Sequence, residues 1–202
     1  MTSKSKRSGQ GRHATAVRAL LALAGAGLLC SAAPRLDFTP VAPRFAPGAE
    51  EYERIWRADG ARIVAALEST SGLVFPASPI DVIVSEGRPM TSFDGRSMRL
   101  RATYSPDYKK ATLVHELGHR LAFTLPRTGE LDDHRLLYLF LYDAWSDLYG
   151  PEFAERMASI ERRIPGPYDY DAAWTWALRQ SREQRQDRLR AFRDAARSRS
   201  AG

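Results

Sequence analysis

Apolar residues recur at helical spacing over residues 49–70. Positions three or four apart lie on one face of a helix, and Ser71-Gly72 marks its predicted end. The apolar face of this predicted helix consists of Tyr52, Ile55, Trp56, Ala61, Ile63, Val64 and Leu67.

Two segments after this helix alternate between apolar and polar residues. Residues 79–85 place Ile80, Val82 and Val84 on one face, and residues 97–104 alternate apolar side chains with arginine or threonine. Alternation with a period of two predicts strands, the second of them half exposed. Asp94-Gly95 predicts a turn before the second strand.

Four helical segments follow these strands, over residues 107–123, 132–149, 151–163 and 171–197. Because the helices follow the strands instead of alternating with them, the order predicts an α+β domain. We expect a small mixed sheet packed on the helix 107–123, followed by a mainly helical C-terminal half.

The N-terminal segment 1–33 has the pattern of an export signal. A basic stretch ends at Arg18, and an uncharged run of fifteen residues from Ala19 to Ala33 follows it. That run is short for a membrane span, which needs about 20 residues. We therefore predict a signal peptide over residues 1–33, with an uncleaved anchor as the alternative, and a secreted or cell-envelope protein. Residues 34–48 contain four prolines and are predicted to be a linker, which leaves 49–202 as the domain.

Charge does not indicate a nucleic-acid partner. The chain has 30 basic and 24 acidic residues, a net charge of +6, but five of the basic residues lie in the segment 1–33. Removing that segment leaves 25 basic residues against 24 acidic ones, a net charge of +1. The only cysteine, Cys30, lies in the same segment, so the predicted mature chain offers neither disulfides nor thiolate ligands.

The helix 107–123 carries His115-Glu116-Leu117-Gly118-His119. Histidines four apart share a helix face and can bind one metal ion, for which Zn²⁺ is the predicted choice. Glu116 lies beside the first histidine and can act as general base toward a zinc-activated water. Taken alone the pattern also occurs by chance, but apolar neighbours predict a buried helix. Gly118 predicts close packing against another element.

The predicted third ligand is Asp143. Residues 136–148 are apolar nearly all round, which predicts a buried helix, yet Asp143 and Asp147 lie four apart on it. Buried carboxylates are costly unless they are paired or bind metal. We predict that Asp143 binds zinc and that Asp147 accepts a hydrogen bond from His115. The alternative is that both pair with arginines, such as Arg120 or Arg156.

His134 is the alternative third ligand or a cleft residue. It precedes Asp143 by nine positions. On a continuous helix this spacing is a net rotation of about 180°. The two side chains would then point in opposite directions, so only one of them can bind the metal.

This arrangement resembles the gluzincin, or thermolysin-like, family of zinc metallopeptidases. In that family the HExxH helix is followed by a second helix with a glutamate ligand and an aspartate four residues later. Asp143 to Asp147 is similar to that second motif, with Asp in place of Glu and a slightly longer gap from His119. The resemblance implies a zincin-like fold in which the strand 97–104 is the sheet edge beside the metal. An extended peptide would add to that edge; an ordinary sheet strand is the alternative.

The sequence thus predicts an exported zinc metallopeptidase that acts on peptides or proteins. The alternatives are a non-catalytic zinc-binding envelope protein and an arginine-rich surface-binding module in which HExxH is accidental. The arginine-rich C-terminal segment is predicted to be a solvated helix packed by a sparse apolar stripe, with weak contact with an envelope or membrane surface as the alternative. The donor to the oxyanion stays open among His134, Tyr142, Tyr149, Tyr168 and Tyr170.

Overall fold

A computed structural model describes Met1 and residues 33–125 and 131–200, the last two by backbone alone. Almost all of the predicted signal peptide, 1–33, lies outside the described residues. The described residues form an α+β fold with one small mixed sheet and several helices, as predicted. Within that part of the chain, no helix combines the length and the apolar character needed to cross a membrane.

The sheet has four strands: β1 (Leu36–Pro40), β2 (Ile80–Ser85), β3 (Met90–Thr91) and β4 (Ser97–Arg101). Their spatial order is β1-β2-β4-β3, with β1, β2 and β4 parallel and β3 antiparallel to β4. The alternating pattern placed β2 and the start of β4 correctly. The edge beside the HExxH helix, however, is formed by β3 and not by the strand 97–104.

The segment 34–48 is part of the fold, which corrects the predicted linker. Leu36 pairs with Ile80 at the start of β1, and the long helix α1 (Ala46–Ser71) begins within the segment. A short 3-10 turn, Pro43–Phe45, joins the two. Proline is compatible with all three places because β1 is an edge strand and because helix starts accept proline.

Helix α1 ends at Gly72, whose φ of 62° is the left-handed conformation that favours glycine. The HExxH helix is α2 (Pro106–Ala122), and the Ser105 side chain caps its N-terminus. Gly118 faces the next helix, α3 (Asp133–Tyr138). A Cβ at this position would lie 2.5 Å from Leu137 Cδ1, so the glycine permits the close packing of α2 on α3.

The predicted helix 132–149 is two helices, α3 and α4 (Leu141–Tyr149), separated at Leu139 and Phe140. Helix α5 (Pro151–Glu161) agrees with the predicted helix 151–163. The predicted helix 171–197 also divides, into α6 (Tyr170–Leu178) and α7 (Arg182–Ser200). These two interruptions change the directions of the helices and therefore the side chains that contact one another.

Candidate metal centre

Three histidines converge at the contact of α2 with α3. The Nε2 atoms of His115 and His119, one turn apart, are 3.0 Å from each other. The ring of His134 is centred 4.8 Å from that of His119 and 5.6 Å from that of His115. One ring nitrogen from each lies within 4.8 Å of the others. We call these three residues the histidine cluster.

The donor set of the histidine cluster fits a zinc ion. Zinc is bound by imidazole nitrogens at roughly 2.0–2.1 Å, and tetrahedral geometry then separates two ligand atoms by roughly 3.3–3.4 Å. The ring nitrogens of the cluster are separated by distances from 3.0 Å to at most 4.8 Å, a range that includes this value. Burial lowers the pKa of His134 to about 4, so at neutral pH its ring is uncharged and can use a nitrogen lone pair to bind metal.

Helix α3 is fixed at its N-terminus, which positions His134. The Asp132 carboxylate accepts a hydrogen bond of 2.8 Å from the backbone N–H of Arg135 and caps the helix. The same carboxylate accepts a hydrogen bond of 2.6 Å from the hydroxyl of Tyr168, and the centre of the Tyr168 ring lies 4.6 Å from that of the His134 ring. His134 is therefore in a well-packed first turn, not at a frayed helix end.

A buried glutamate orients His115. Its Nδ1 lies 2.7 Å from Oε1 of Glu161, the last residue of α5, which is 3% exposed. The other carboxylate oxygen accepts hydrogen bonds of 3.1 Å each from Tyr138 and Trp174. Burial lowers the pKa of His115, but the carboxylate of Glu161 outweighs it, so the net shift is upward. A carboxylate on Nδ1 leaves Nε2 facing the Nε2 of His119, 3.0 Å away.

Glu161 was not among the residues predicted from the sequence, although the sequence contains a signal for it. A negative charge in the last turn of a helix is disfavoured by the helix dipole, which indicates a partner elsewhere. Glu161 is such a charge, because it lies in the last turn of the predicted helix 151–163.

The structure corrects the predicted roles of Asp143 and Asp147. Asp143 is buried in a two-bond ion pair with Arg185 of α7, at 2.6 and 3.2 Å. Asp147 forms two bonds with Arg182, at 2.7 and 2.6 Å, and the carboxylate on His115 is that of Glu161. Pairing with arginine was the predicted alternative, but the partners are on α7.

The two arginines named as partners in that alternative have other contacts. Arg120 donates to the backbone oxygens of Gly95, Pro76 and Ser78, and Arg156 contacts Asp107. The predicted geometry of one continuous helix does not apply, because the chain turns between α3 and α4. His134, the alternative ligand, is the third member of the histidine cluster.

Glu116 is buried beside the cluster and is held by the edge strand. Its Oε2 accepts a hydrogen bond of 2.8 Å from the Thr91 hydroxyl of β3. Burial raises the pKa of Glu116 to about 7. A carboxyl group with this pKa can both accept and release a proton near neutral pH, as a general base requires.

An open cleft of about 940 Å³ runs over the cluster. His115, Glu116, His119 and His134 line it, with β3 on one side and the loop after α5 on the other. Of the four predicted tyrosines only Tyr170 lines this cleft, with its ring 4.9 Å from that of His134. The hydroxyls of Tyr142, Tyr149 and Tyr168 bond to carboxylates.

Comparison with known protein families, with curated proteins and with solved structures finds no match to this chain.

Proposed function

We propose that this protein is a zinc-dependent hydrolase of peptide bonds. The observation that carries the proposal is the combination of three convergent imidazoles with a buried glutamate on the helix that carries two of them, all on the wall of an open cleft. Three imidazole ligands leave a coordination position open, which is typical of catalytic zinc sites rather than closed structural ones.

His115, His119 and His134 would hold the zinc, and Glu161 would fix the orientation of His115 through its Nδ1. The bound zinc would lower the pKa of a water molecule and polarise the scissile carbonyl. Glu116 would take the proton of that water at its carboxylate and pass it to the leaving amine. Thr91 holds the carboxylate in place, and Tyr170 is the candidate donor to the oxyanion.

The edge strand β3 offers a place for an extended substrate. The N–H of Ser92 donates to the Ser97 carbonyl at 2.9 Å, so its pair on β4 is a hydrogen-bonded one. Because such pairs alternate along an antiparallel ladder, the N–H and C=O of Thr91 point away from β4. A peptide that adds to this edge would lie against the residue that holds Glu116.

The proposal departs from the family resemblance at the third ligand. Gluzincins use an acidic residue from the second helix, whereas the acidic residue at that place, Asp143, is paired with Arg185. The zinc-binding set proposed for this chain is three histidines.

The arginine-rich α7 does not favour a surface-binding function. Arg182 and Arg185 bond to aspartates of α4, Arg190 bonds to Asp187, and Arg188 lies over the Trp176 ring. The bonds of Arg182 and Arg185 join α7 to α4, whereas the bond of Arg190 lies within α7. Weak contact with an envelope or membrane surface stays a prediction.

The test is Glu116→Gln in the zinc-loaded protein. The amide cannot take the proton, so we expect peptide cleavage to fall by about a hundredfold to ten-thousandfold while zinc stays bound. Asp133→Asn, another acidic side chain at the cleft, is the matched control and should retain most activity. Undiminished cleavage by Glu116→Gln would show that this residue is not the base.

A further inference from the structure

We infer that the cleft selects peptides with a carboxylate on the C-terminal side of the scissile bond, bound by Arg88 and Arg163. This inference rests on the proposed function and adds the substrate class to it. The carboxylate is either an acidic side chain or the chain terminus of the substrate.

The two ends of the cleft differ in chemistry. At one end Arg88 donates to the Tyr170 hydroxyl at 3.3 Å, and a Cβ built on Gly166 would lie 3.2 Å from its guanidinium. Arg163 lines the cleft from the same loop, three residues before Gly166. Both arginines therefore line the cleft where the loop after α5 meets Arg88, and we call this part of the cleft the arginine end.

The opposite end is aromatic. Phe93, which is 72% exposed, packs edge-on against Phe123, with ring centres 5.6 Å apart. Both rings line the cleft. The Phe123 ring also lies 5.6 Å from that of His119, and the His134 ring lies 4.9 Å from that of Tyr170, which Arg88 contacts. These contacts place the histidine cluster between the aromatic end and the arginine end, so a bound peptide meets a different environment on each side of the cluster.

The arginine end carries positive charge that no carboxylate of the described residues balances through a salt bridge. Arg88 contacts Tyr170, and Arg163 donates to the Ser159 hydroxyl at 2.9 Å. By contrast Arg101, the third arginine of the cleft, is paired with Glu86. Guanidinium groups bind carboxylates by two parallel hydrogen bonds, so this end is suited to an anionic group of a ligand.

For a peptide that pairs antiparallel with β3, as β4 does on the other side of the strand, the direction of β3 places this group on the leaving side of the substrate. The chain passes from Arg88, at the arginine end, along Met90–Thr91 to Phe93, at the aromatic end. A peptide that adds antiparallel to β3 therefore runs toward the arginine end. Its residues beyond the scissile bond then approach Arg88 and Arg163.

The distance limits the position of the carboxylate in the substrate. The Arg88 guanidinium lies 6.0 Å from the centre of the Tyr170 ring, which lies 4.9 Å from the His134 ring. An extended peptide advances roughly 3.4 Å per residue. The carboxylate is therefore expected within the first three residues, approximately, after the scissile bond.

The test measures binding without cleavage. Zinc-loaded Glu116→Gln protein is titrated into fluorescein-labelled hexapeptides in which Glu or Gln is scanned through the last three positions. Each peptide is made with a free and with an amidated C-terminus, which separates the two carboxylate sources. Fluorescence anisotropy gives the Kd of each. We expect at least one carboxylate form to bind roughly fivefold to tenfold more tightly than its neutral partner, and this preference to weaken as salt is added.

When Arg163→Gln or Arg88→Gln is introduced into the Glu116→Gln protein, each should reduce the preference for the carboxylate peptides. Arg163→Glu should shift the preference toward lysine-containing peptides. Arg179→Gln removes an exposed arginine outside the cleft and should leave the preference intact. Equal Kd values within all pairs, or a preference that survives both glutamine variants, would overturn the inference.

Cleavage by the wild-type protein separates the two proposals. Cleavage with no preference for a carboxylate would overturn the inference and leave the proposed function standing. Tighter binding of the carboxylate forms without any cleavage would contradict the proposed function and support the assignment of the arginine end.

Discussion

Two buried carboxylates on apolar helices have different uses in this fold. Glu161 on α5 contacts the His115 imidazole, the Tyr138 hydroxyl and the Trp174 indole. Asp143 on α4 contacts the guanidinium of Arg185. Each is 3% exposed, so each needs a partner, but only Glu161 contacts a residue of the histidine cluster. Burial of an acidic side chain thus indicates a partner. The type of partner distinguishes a candidate site, such as Glu161 with His115, from a structural ion pair, such as Asp143 with Arg185.

The largest expected effect on stability is at the Asp143–Arg185 ion pair, which joins α4 to α7. Asp143→Ala leaves Arg185 buried without its counter-ion, and this should lower the free energy of unfolding by about 3–5 kcal/mol. Urea denaturation measures it. The double variant Asp143→Leu/Arg185→Leu should recover most of the loss, because a buried ion pair can be replaced by apolar groups at little cost. A double variant no more stable than Asp143→Ala would show that the pair has another role.

Removal of the charge of Glu161, the buried acid that contacts His115, should lower the affinity for zinc. Glu161→Gln keeps the shape of the side chain but removes the charge that holds His115, and zinc should bind about tenfold to a hundredfold more weakly. Competition with a chelator measures this affinity. Glu155→Gln, on the exposed face of the same helix, is the control. Unchanged affinity in Glu161→Gln would separate this residue from the site.

The close packing of α2 on α3 at Gly118 should affect both stability and zinc binding. Gly118→Ala places a Cβ against Leu137. This contact should cost about 1–3 kcal/mol, offset by about 1 kcal/mol of helix propensity. The net loss in thermal or urea unfolding is thus roughly 0–2 kcal/mol. Because α3 carries His134, zinc affinity should fall as well. A stabilised variant with unchanged zinc affinity would contradict the close packing.

The smallest effect is expected at the exposed pair. Asp147 and Arg182 keep 34% and 42% of their side chains exposed. Asp147→Ala should therefore change the free energy of unfolding by only about 0–1 kcal/mol. Zinc content should not change. A loss of zinc would restore Asp147 to the role predicted from the sequence.

The local patterns predicted the fold class, the strand 79–85 and the HExxH helix. Apolar periodicity cannot show a break within a helix that is apolar all round, so the division at Leu139 and Phe140 was missed. A signal existed at the second break. Ser181 and Gln184 form a reciprocal capping box, with bonds of 2.8 and 3.2 Å. This pattern marks the start of α7.

The partners of the buried acids could not be predicted from local pattern. Glu161 lies 46 positions from His115, and Arg185 lies 42 positions from Asp143. The spacing of an acid on its own helix carries no information about which of two distant elements packs against it. His115, Glu116 and His119 were placed together because one helix turn holds them, whereas the position of His134 depends on the packing of α3.

Zinc content tests the central claim most directly. Wild-type protein, His134→Ala and Asp143→Asn are purified at the same low free-zinc concentration, checked for native circular dichroism, and analysed for metal per chain. We predict one zinc in the wild type and in Asp143→Asn, and little or none in His134→Ala, because two imidazoles alone bind zinc weakly. Full zinc in His134→Ala together with loss of zinc in Asp143→Asn would contradict the three-histidine centre.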